Sequence, residues 1–362
     1  MIKVLQIGCG KMSKYSMRYV YEKGAEIVGA FDISEHVIGK DIGTLMETEE
    51  KGVKVQNLAD LAEFLKENRA DIAIVTTRSL IEELRDVVLT LVNGKVNVVT
   101  TCEEAFFAEN SNKLVFDEID RAAKENGVTV TGGGYQDIFW GNLISTLAGS
   151  IHNITKIKGS SSYNVEDYGI ALAEVHGAGL TLAEFDEKIA KPSELSNEEI
   201  KKQVAEGTFA PSYMWNVVGW LADKLGYHIT EMSQKCVPQT NVKDIHSTTL
   251  GMDVKAGDAT GMSAVVTAKT AEGVEIEAEC IGKVYDETEF DKNVWSVIGE
   301  PDTTVSVERP DTVRLTCADI VNRIPDIINA KPGFVPTSQM PDPRFRVESL
   351  DKYLKCLICL IW

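Results

Sequence analysis

The chain has 362 residues, 44% of them hydrophobic, with 37 Lys and Arg against 55 Asp and Glu, a formal net charge of −18. That is a globular composition with room for two cores. The acidic surplus excludes nucleic acid and anionic membranes as partners, because both need a basic surface.

No apolar run approaches the ~20 residues that span a bilayer. Met1-Ile2-Lys3-Val4 enters a strand at once, with no signal peptide. The seven cysteines lack disulfide-like spacing, so free thiols and a cytoplasmic location are expected. Cys356-Leu-Ile-Cys359 is a lone close pair without a nearby histidine, and reads as structural or incidental. No cluster of His, Cys, Asp and Glu has metal-ligand spacing, and no metal is expected.

Lys3 to Ile7 reads as a short apolar strand. Gly8-Cys9-Gly10-Lys11-Met12-Ser13 follows, then a helix to about Lys23, stopped by Gly24. The next strand, Glu26 to Asp32, ends in an acid. Strand, glycine turn, helix, strand and acid is the dinucleotide-binding order. Gly8, Gly10, Lys11 and Met12 are placed at a pyrophosphate on the helix N-terminus. Asp32 is placed at the ribose, where its charge favours NAD over NADP, while Ser34 beside it could bond a 2′-phosphate. Ser13 replaces the third glycine of the pattern and is small enough for the packing that glycine serves.

Leu58 to about Asn68 is amphipathic through Leu58, Leu61, Ala62 and Leu65. Asp71 to Thr76 is a buried strand, and Leu80 to Val92 a helix closed by Asn93-Gly94. Val96 to Thr101 is a strand that runs into Cys102-Glu103-Glu104. Asn112 to Asn126 is a helix, and Val128 to Val130 a strand that ends in Gly132-Gly133-Gly134. Strands alternating with helices predict an α/β fold, a parallel doubly wound Rossmann sheet. Ligands bind such sheets outside the carboxyl ends of the strands. Thr76, Thr77, Cys102 and Glu103 leave the sheet at that edge and are placed near the cofactor. Glu103 reads either as a cap on its turn or as a contact to the cofactor's ribose.

After about Asn142 the pattern changes. Thr155 to Ser160, Ser263 to Thr270 and Val274 to Cys280 alternate as half-buried strands. Thr181 to Ala190 and Tyr213 to Leu225 read as helices. The expectation is an α+β substrate domain whose open sheet a homodimer would cover. Asp319 to Ile328 reads as a helix interrupted by Pro325, packing back on the first domain. The expected division is 1–141 for the NAD(P)-binding domain, 142–312 for the substrate and dimerisation domain, 313–347 for the return segment and 348–362 for an atypical tail.

Several polar residues suit a small substrate. Asp137 could hold an amine or serve as a helix N-cap. Trp140 and Tyr135 could line a pocket or lie in the core. Asn164, Tyr168 and His176 are glycine-flanked and follow a strand. Arg323 or Arg314 could pair with a substrate carboxylate.

Gly8-Cys9-Gly10-Lys11-Met12 resembles the entry loop of the dihydrodipicolinate reductase superfamily. Thr101-Cys102-Glu103-Glu104, Gly134-Tyr135-Gln136-Asp137-Ile138-Phe139-Trp140, Asn322-Arg323-Ile324-Pro325 and Ala330-Lys331-Pro332-Gly333-Phe334 resemble the amine dehydrogenase family of 2,4-diaminopentanoate dehydrogenase. The resemblance spans roughly residues 1–347. It implies a reversible NAD(P)-dependent oxidation of 2,4-diaminopentanoate to 2-amino-4-oxopentanoate and ammonia, in ornithine breakdown. Glu104 stands where related sugar-type dehydrogenases carry the lysine of a Cys-Glu-Lys-Pro turn. An amine needs a carboxylate there, as base and water activator, so Glu104 is the expected catalytic residue. The rival readings are another amine dehydrogenase or imine reductase of this fold, or a non-catalytic NAD(P) sensor.

Overall fold

A computed structural model describes residues 1–355, so the Cys356 and Cys359 pair lies outside the described residues. The chain divides into two units. The first holds Met1–Asn142, Ala205–Thr208 and the chain from Asp311; the second holds Leu143–Val204 and Phe209–Pro310.

The first unit is built on a parallel sheet. Its strands are β1 (Lys3–Ile7), β2 (Glu26–Asp32), β3 (Val55–Asn57), β4 (Ile72–Val75), β5 (Asn97–Thr100), β6 (Thr129–Gly132) and a short strand, Gly333–Phe334. Across the sheet the order is Gly333–Phe334, β6, β5, β4, β1, β2, β3. The order reverses at β1 and β4, which opens a crevice at their carboxyl ends. β3 and Gly333–Phe334 are too short to show a period of their own in the sequence.

Both faces of the sheet are buried, which explains the near-continuous apolar strands. Leu5, Ile7, Ala73 and Val75 face one core, with α4 (Ile81–Asn93) and α5 (Lys113–Asn126) packed over it. The alternate residues Val4, Ile72 and Ile74 face the other. There α1 (Ser13–Glu22) contributes Met17 and Val20, and a return helix, Thr312–Ile328, contributes Ile320, Ile324 and Ile327. Helices α2 (Ile42–Met46) and α3 (Leu61–Glu67) also belong to this unit.

The return helix is longer than its sequence suggests, and it continues through Pro325. The stretch 348–355, expected as part of an atypical tail, is docked. Leu350 is fully buried and its N–H donates to Lys23 O at 3.0 Å, while Asn329 Nδ2 donates to Tyr353 O at 2.9 Å.

The second unit is a six-stranded mixed sheet. Its strands run in the order Thr303–Glu308, Lys292–Glu300, Asn153–Asn164, Glu275–Lys283, Ala259–Thr270, Ile229–Thr240. The pair Asn153–Asn164 and Glu275–Lys283 is parallel and the others antiparallel. Glu275–Lys283 alternates strictly between half-buried and buried residues. Helix Tyr213–Leu225 packs against this sheet. The half-buried face carries Glu275 and Glu277, both bonded to Lys156 at 2.8 Å.

Candidate active site

The glycine loop after β1 is held from behind by a buried polar network. Gln6 interrupts an otherwise apolar strand. Its Nε2 donates to Gly8 O at 2.8 Å and to Thr76 Oγ1 at 3.0 Å, and its Oε1 accepts from Ser16 Oγ at 2.9 Å. Thr76 Oγ1 also bonds Gly8 O at 3.2 Å, so this hydroxyl supports the loop. Gly8 has φ +88°, and a Cβ there would lie 2.6 Å from the Thr77 methyl. Only glycine lets the loop turn so close to β4's end.

Gly10 is different, because a Cβ there would meet nothing within 4 Å. Helix α1 begins beside it with no side-chain cap and no acid in its first turn. Its first N–H groups and the positive end of its dipole suit a phosphate. Lys11 is exposed and Met12 half-buried at the same point. Asp32 ties the loop to β2, with Oδ2 accepting from Cys9 N at 2.6 Å and Oδ1 from Ser34 N at 2.8 Å. A carboxylate has about four acceptor positions, so ribose hydroxyls can be added to these two bonds. These residues fit a dinucleotide.

The adjacent glutamates after β5 have different surroundings. Helix α4 starts at Ile81 without a side-chain cap from Leu80. Glu104 supplies one: its Oε2 accepts from Ile81 N and its Oε1 from Ser111 Oγ, both at 2.8 Å. It is only 3% exposed. Burial pushes its carboxyl above the ordinary range, against the pull of these two bonds. Glu104 thus satisfies a helix end and the Ser111 hydroxyl at the position where the catalytic carboxylate is expected. Glu103 is half-buried. Burial raises its carboxyl too, opposed by a bond to the Ser79 side chain.

Cys102 is fully buried and its Sγ donates to Ser79 O at 3.1 Å, so its thiol is engaged within the protein. Burial raises this thiol, and raises Cys9 to about 12. Both stay protonated near neutrality.

The glycines after β6 make room for protein. A Cβ at Gly132 would lie 2.4 Å from the Ala105 carbonyl carbon, one residue past Glu104. At Gly134, with φ +120°, it would lie 2.8 Å from Thr316 Cγ2 of the return helix. The π-helical turn Asp137–Asn142 follows, closed by Asn142 Nδ2 donating to Asp137 O at 2.8 Å and Oδ1 at 2.9 Å. Asp137 is also paired with Arg323, whose Nε donates to its Oδ2 at 2.7 Å. The two are 0% and 1% exposed. Asp137 and Arg323, both expected at the substrate, are each other's partners here. Tyr135 stacks on Phe139 at 4.6 Å and meets Trp140 edge-on at 5.6 Å. Trp140 Nε1 is buried with no partner among the described residues. Arg314 lies over the Tyr15 ring at 5.1 Å.

In the second unit His176 has both ring nitrogens engaged, Nδ1 with Leu172 O at 2.8 Å and Nε2 with Tyr163 Oη at 2.6 Å. A carbonyl can only accept, so Nδ1 carries the proton and Nε2 takes the tyrosine hydroxyl's. Burial lowers the His176 pKa, which keeps the ring neutral. Both ring nitrogens of the histidine expected at the substrate are thus satisfied within the protein. A Cβ on Gly282 would fall 2.5 Å from the His176 ring. Asn164 Oδ1 caps its turn through Glu166 N at 3.2 Å. Tyr168 is 58% exposed and edge-on to Tyr163.

Sequence reasoning missed Gln6, Ser79, Ser111, Thr316 and Asp319. Two signals were present: a glutamine inside an apolar strand, and a helix opening on Leu80.

An edge that can take a pyrophosphate at β1 and ribose at β2, with carboxylates beyond β5, is that of a Rossmann-type nicotinamide-dependent oxidoreductase. The profile described as dihydrodipicolinate reductase, N-terminus, matches residues 2–128. The profile described as 2,4-diaminopentanoate dehydrogenase C-terminal domain matches residues 139–355, and the chain belongs to that family. It is 27% identical to 2,4-diaminopentanoate dehydrogenase of Acetoanaerobium sticklandii over 95% of this chain and 94% of that protein. The structure of an amine dehydrogenase from Mycobacterium smegmatis superposes with TM-score 0.80 at 33% identity, covering 96% of this chain and 98% of that one. Myo-inositol 2-dehydrogenase from Lactobacillus plantarum, with TM-score 0.56 and 12% identity over 90% of this chain and 89% of that one, shares the fold alone. No helix among the described residues is long and apolar enough to cross a membrane.

Proposed function

We propose that the chain catalyses the NAD(P)-dependent oxidative deamination of 2,4-diaminopentanoate to 2-amino-4-oxopentanoate and ammonia, reversible as a reductive amination. The step belongs to ornithine degradation. The observation that carries the amine reading is the glutamate pair at the end of β5. We place the base at Glu103, which is half-buried, rather than at Glu104, which holds a helix end and Ser111.

A bound nicotinamide supplies the hydride acceptor for the carbon that bears the amine. Glu103 takes a proton from the substrate ammonium and passes it to solvent. As a carboxylate again, it deprotonates the water that adds to the iminium carbon. A carboxyl raised by burial is a stronger base than an exposed one, which suits both transfers. Trp140 offers an unused N–H for a substrate oxygen.

Asp32 supports NAD over NADP, because its charge opposes a 2′-phosphate. The half-buried face of the second unit's sheet supports a homodimer, and the free thiols support a cytoplasmic enzyme. The second reading is a different small amine, favoured by the 33% identity to an amine dehydrogenase. Reduced cofactor is followed by absorbance with 2,4-diaminopentanoate and a panel of alkylamines, using NAD+ and NADP+. The diamino acid should give the highest kcat/KM, with NAD+ ahead. Faster turnover of simple alkylamines would overturn the substrate. A roughly tenfold preference for NADP+, about 1.4 kcal/mol, would overturn the role of Asp32.

A further inference from the structure

The return helix presents Thr316, Asp319, Arg323 and Asp326 at spacings that place them along one face. That face grips the turn after β6 residue by residue. Thr316 Oγ1 accepts from Tyr135 N at 3.1 Å, and Asp319 Oδ2 from Gly134 N at 3.0 Å. Arg323 Nε holds Asp137, and its Nη1 donates to Pro341 O. Asp326 takes both its bonds from Arg346 Nη2, at 2.7 Å each.

The charges along this line do not balance if all are ionised. Asp137 has Arg323 and Asp326 has Arg346, which leaves Asp319 without a cation of its own. Asp319 is 5% exposed, and its Oδ1 has no hydrogen-bond donor among the described residues. A bare carboxylate oxygen in that position is unfavourable. Asp319 bonds Gly134 N, Asp137 N donates to Gly134 O at 3.0 Å, and Arg323, one helical turn from Asp319, holds Asp137, which brings the two carboxylates to the same turn. One proton between the two acids satisfies both.

We propose that Asp319 is a neutral carboxylic acid at working pH, that it donates its proton to Asp137, and that it is the positioning residue that sets the Gly132–Asp137 turn. Burial first, and the charge of Asp137 second, raise the Asp319 carboxyl well above the ordinary range. Arg323 and the Gly134 N–H oppose this shift. The folded state therefore keeps a proton that the unfolded chain releases above a pH of about 3.9. Stability linked to Asp319 falls as pH rises from there towards the raised value. Asparagine at this position retains both bonds, with Oδ1 for Gly134 N–H and Nδ2–H for Asp137, and cannot ionise.

The inference rests on the cofactor edge described above, and its test needs no amine. Parent, Asp319→Asn and Asp319→Ala are compared by infrared spectroscopy and by NADH fluorescence titration. The parent at pH 7 should show the C=O stretch of a buried protonated carboxyl that Asp319→Asn lacks. Asp319→Ala should bind NADH roughly tenfold or more weakly, since it leaves Gly134 N–H without its acceptor and removes the proton shared with Asp137. Asp319→Asn should recover most of that loss, and its melting temperature relative to the parent should rise from pH 5 to pH 9. Absence of the band overturns the shared proton. An Asn variant as impaired as the Ala variant, or an Ala variant with parental NADH affinity, overturns the positioning role. If Asp319→Ala does not fold, the band and the pH trend of Asp319→Asn still decide. Failure of amine turnover with the band present would count against the substrate reading alone.

Discussion

Two glycine-rich stretches lie at the same edge of the first sheet, and they are built for opposite purposes. Gly10 opens onto free space beside an uncapped helix start. Gly132 and Gly134 are pressed against Ala105 and Thr316. In sequence both say only that something passes close to the backbone. The first leaves room for a ligand, and the second admits another part of the chain. The glutamates differ too, with Glu104 buried against Ile81 N and Ser111 and Glu103 half-buried.

The largest effect expected from breaking this division is at Glu103. Glu103→Gln keeps shape but removes the base, so kcat should fall roughly 10²–10⁴-fold, with NADH affinity unchanged. The acidic limb of the parent's kcat/KM should lie above the ordinary glutamate value of about 4.3, because burial raises this carboxyl. If Glu104→Gln lost the activity while Glu103→Gln kept it, the assignment would return to Glu104.

Next is the buried glutamate. Glu104→Ala removes the acceptor for Ile81 N and Ser111, and should cost about 1–2 kcal/mol of stability, read as a lower denaturant midpoint. A midpoint equal to the parent's would mean that the helix end finds another partner. The smallest effect extends the comparison to the second unit. The folded-state pKa of His176 is depressed. The stability it contributes is complete above the unfolded value of about 6.5 and is lost as pH falls below it. His176→Gln should flatten that part of the stability profile between about pH 7 and pH 5, and an unchanged slope would assign it to another group.

The alternation of strands and helices, and the glycine loop with Asp32, were legible because each rests on local period or spacing. The partners of the site residues were not. Glu104 meets Ile81, 23 positions earlier in the chain. Asp137 meets Arg323, 186 positions later. Either acid reads as free until the chain folds back. The docking of Leu350 was hidden for the same reason, since a short irregular segment has no period to betray a buried side. Gln6 could have been read, because a polar side chain in a strand buried on both faces requires partners.

Thermal unfolding of Gly10→Ala and Gly132→Ala, each with and without NAD+, tests most directly whether the two glycine stretches serve opposite ends. Gly10→Ala should match the parent without cofactor, within about 0.5 kcal/mol, and should lose most of the stabilisation that NAD+ gives. Gly132→Ala should be less stable by about 1–3 kcal/mol or more without cofactor, and wherever it folds should keep more of the stabilisation by NAD+ than Gly10→Ala does. A Gly10→Ala variant that responds to NAD+ like the parent, or a Gly132→Ala variant as stable as the parent, would contradict this account.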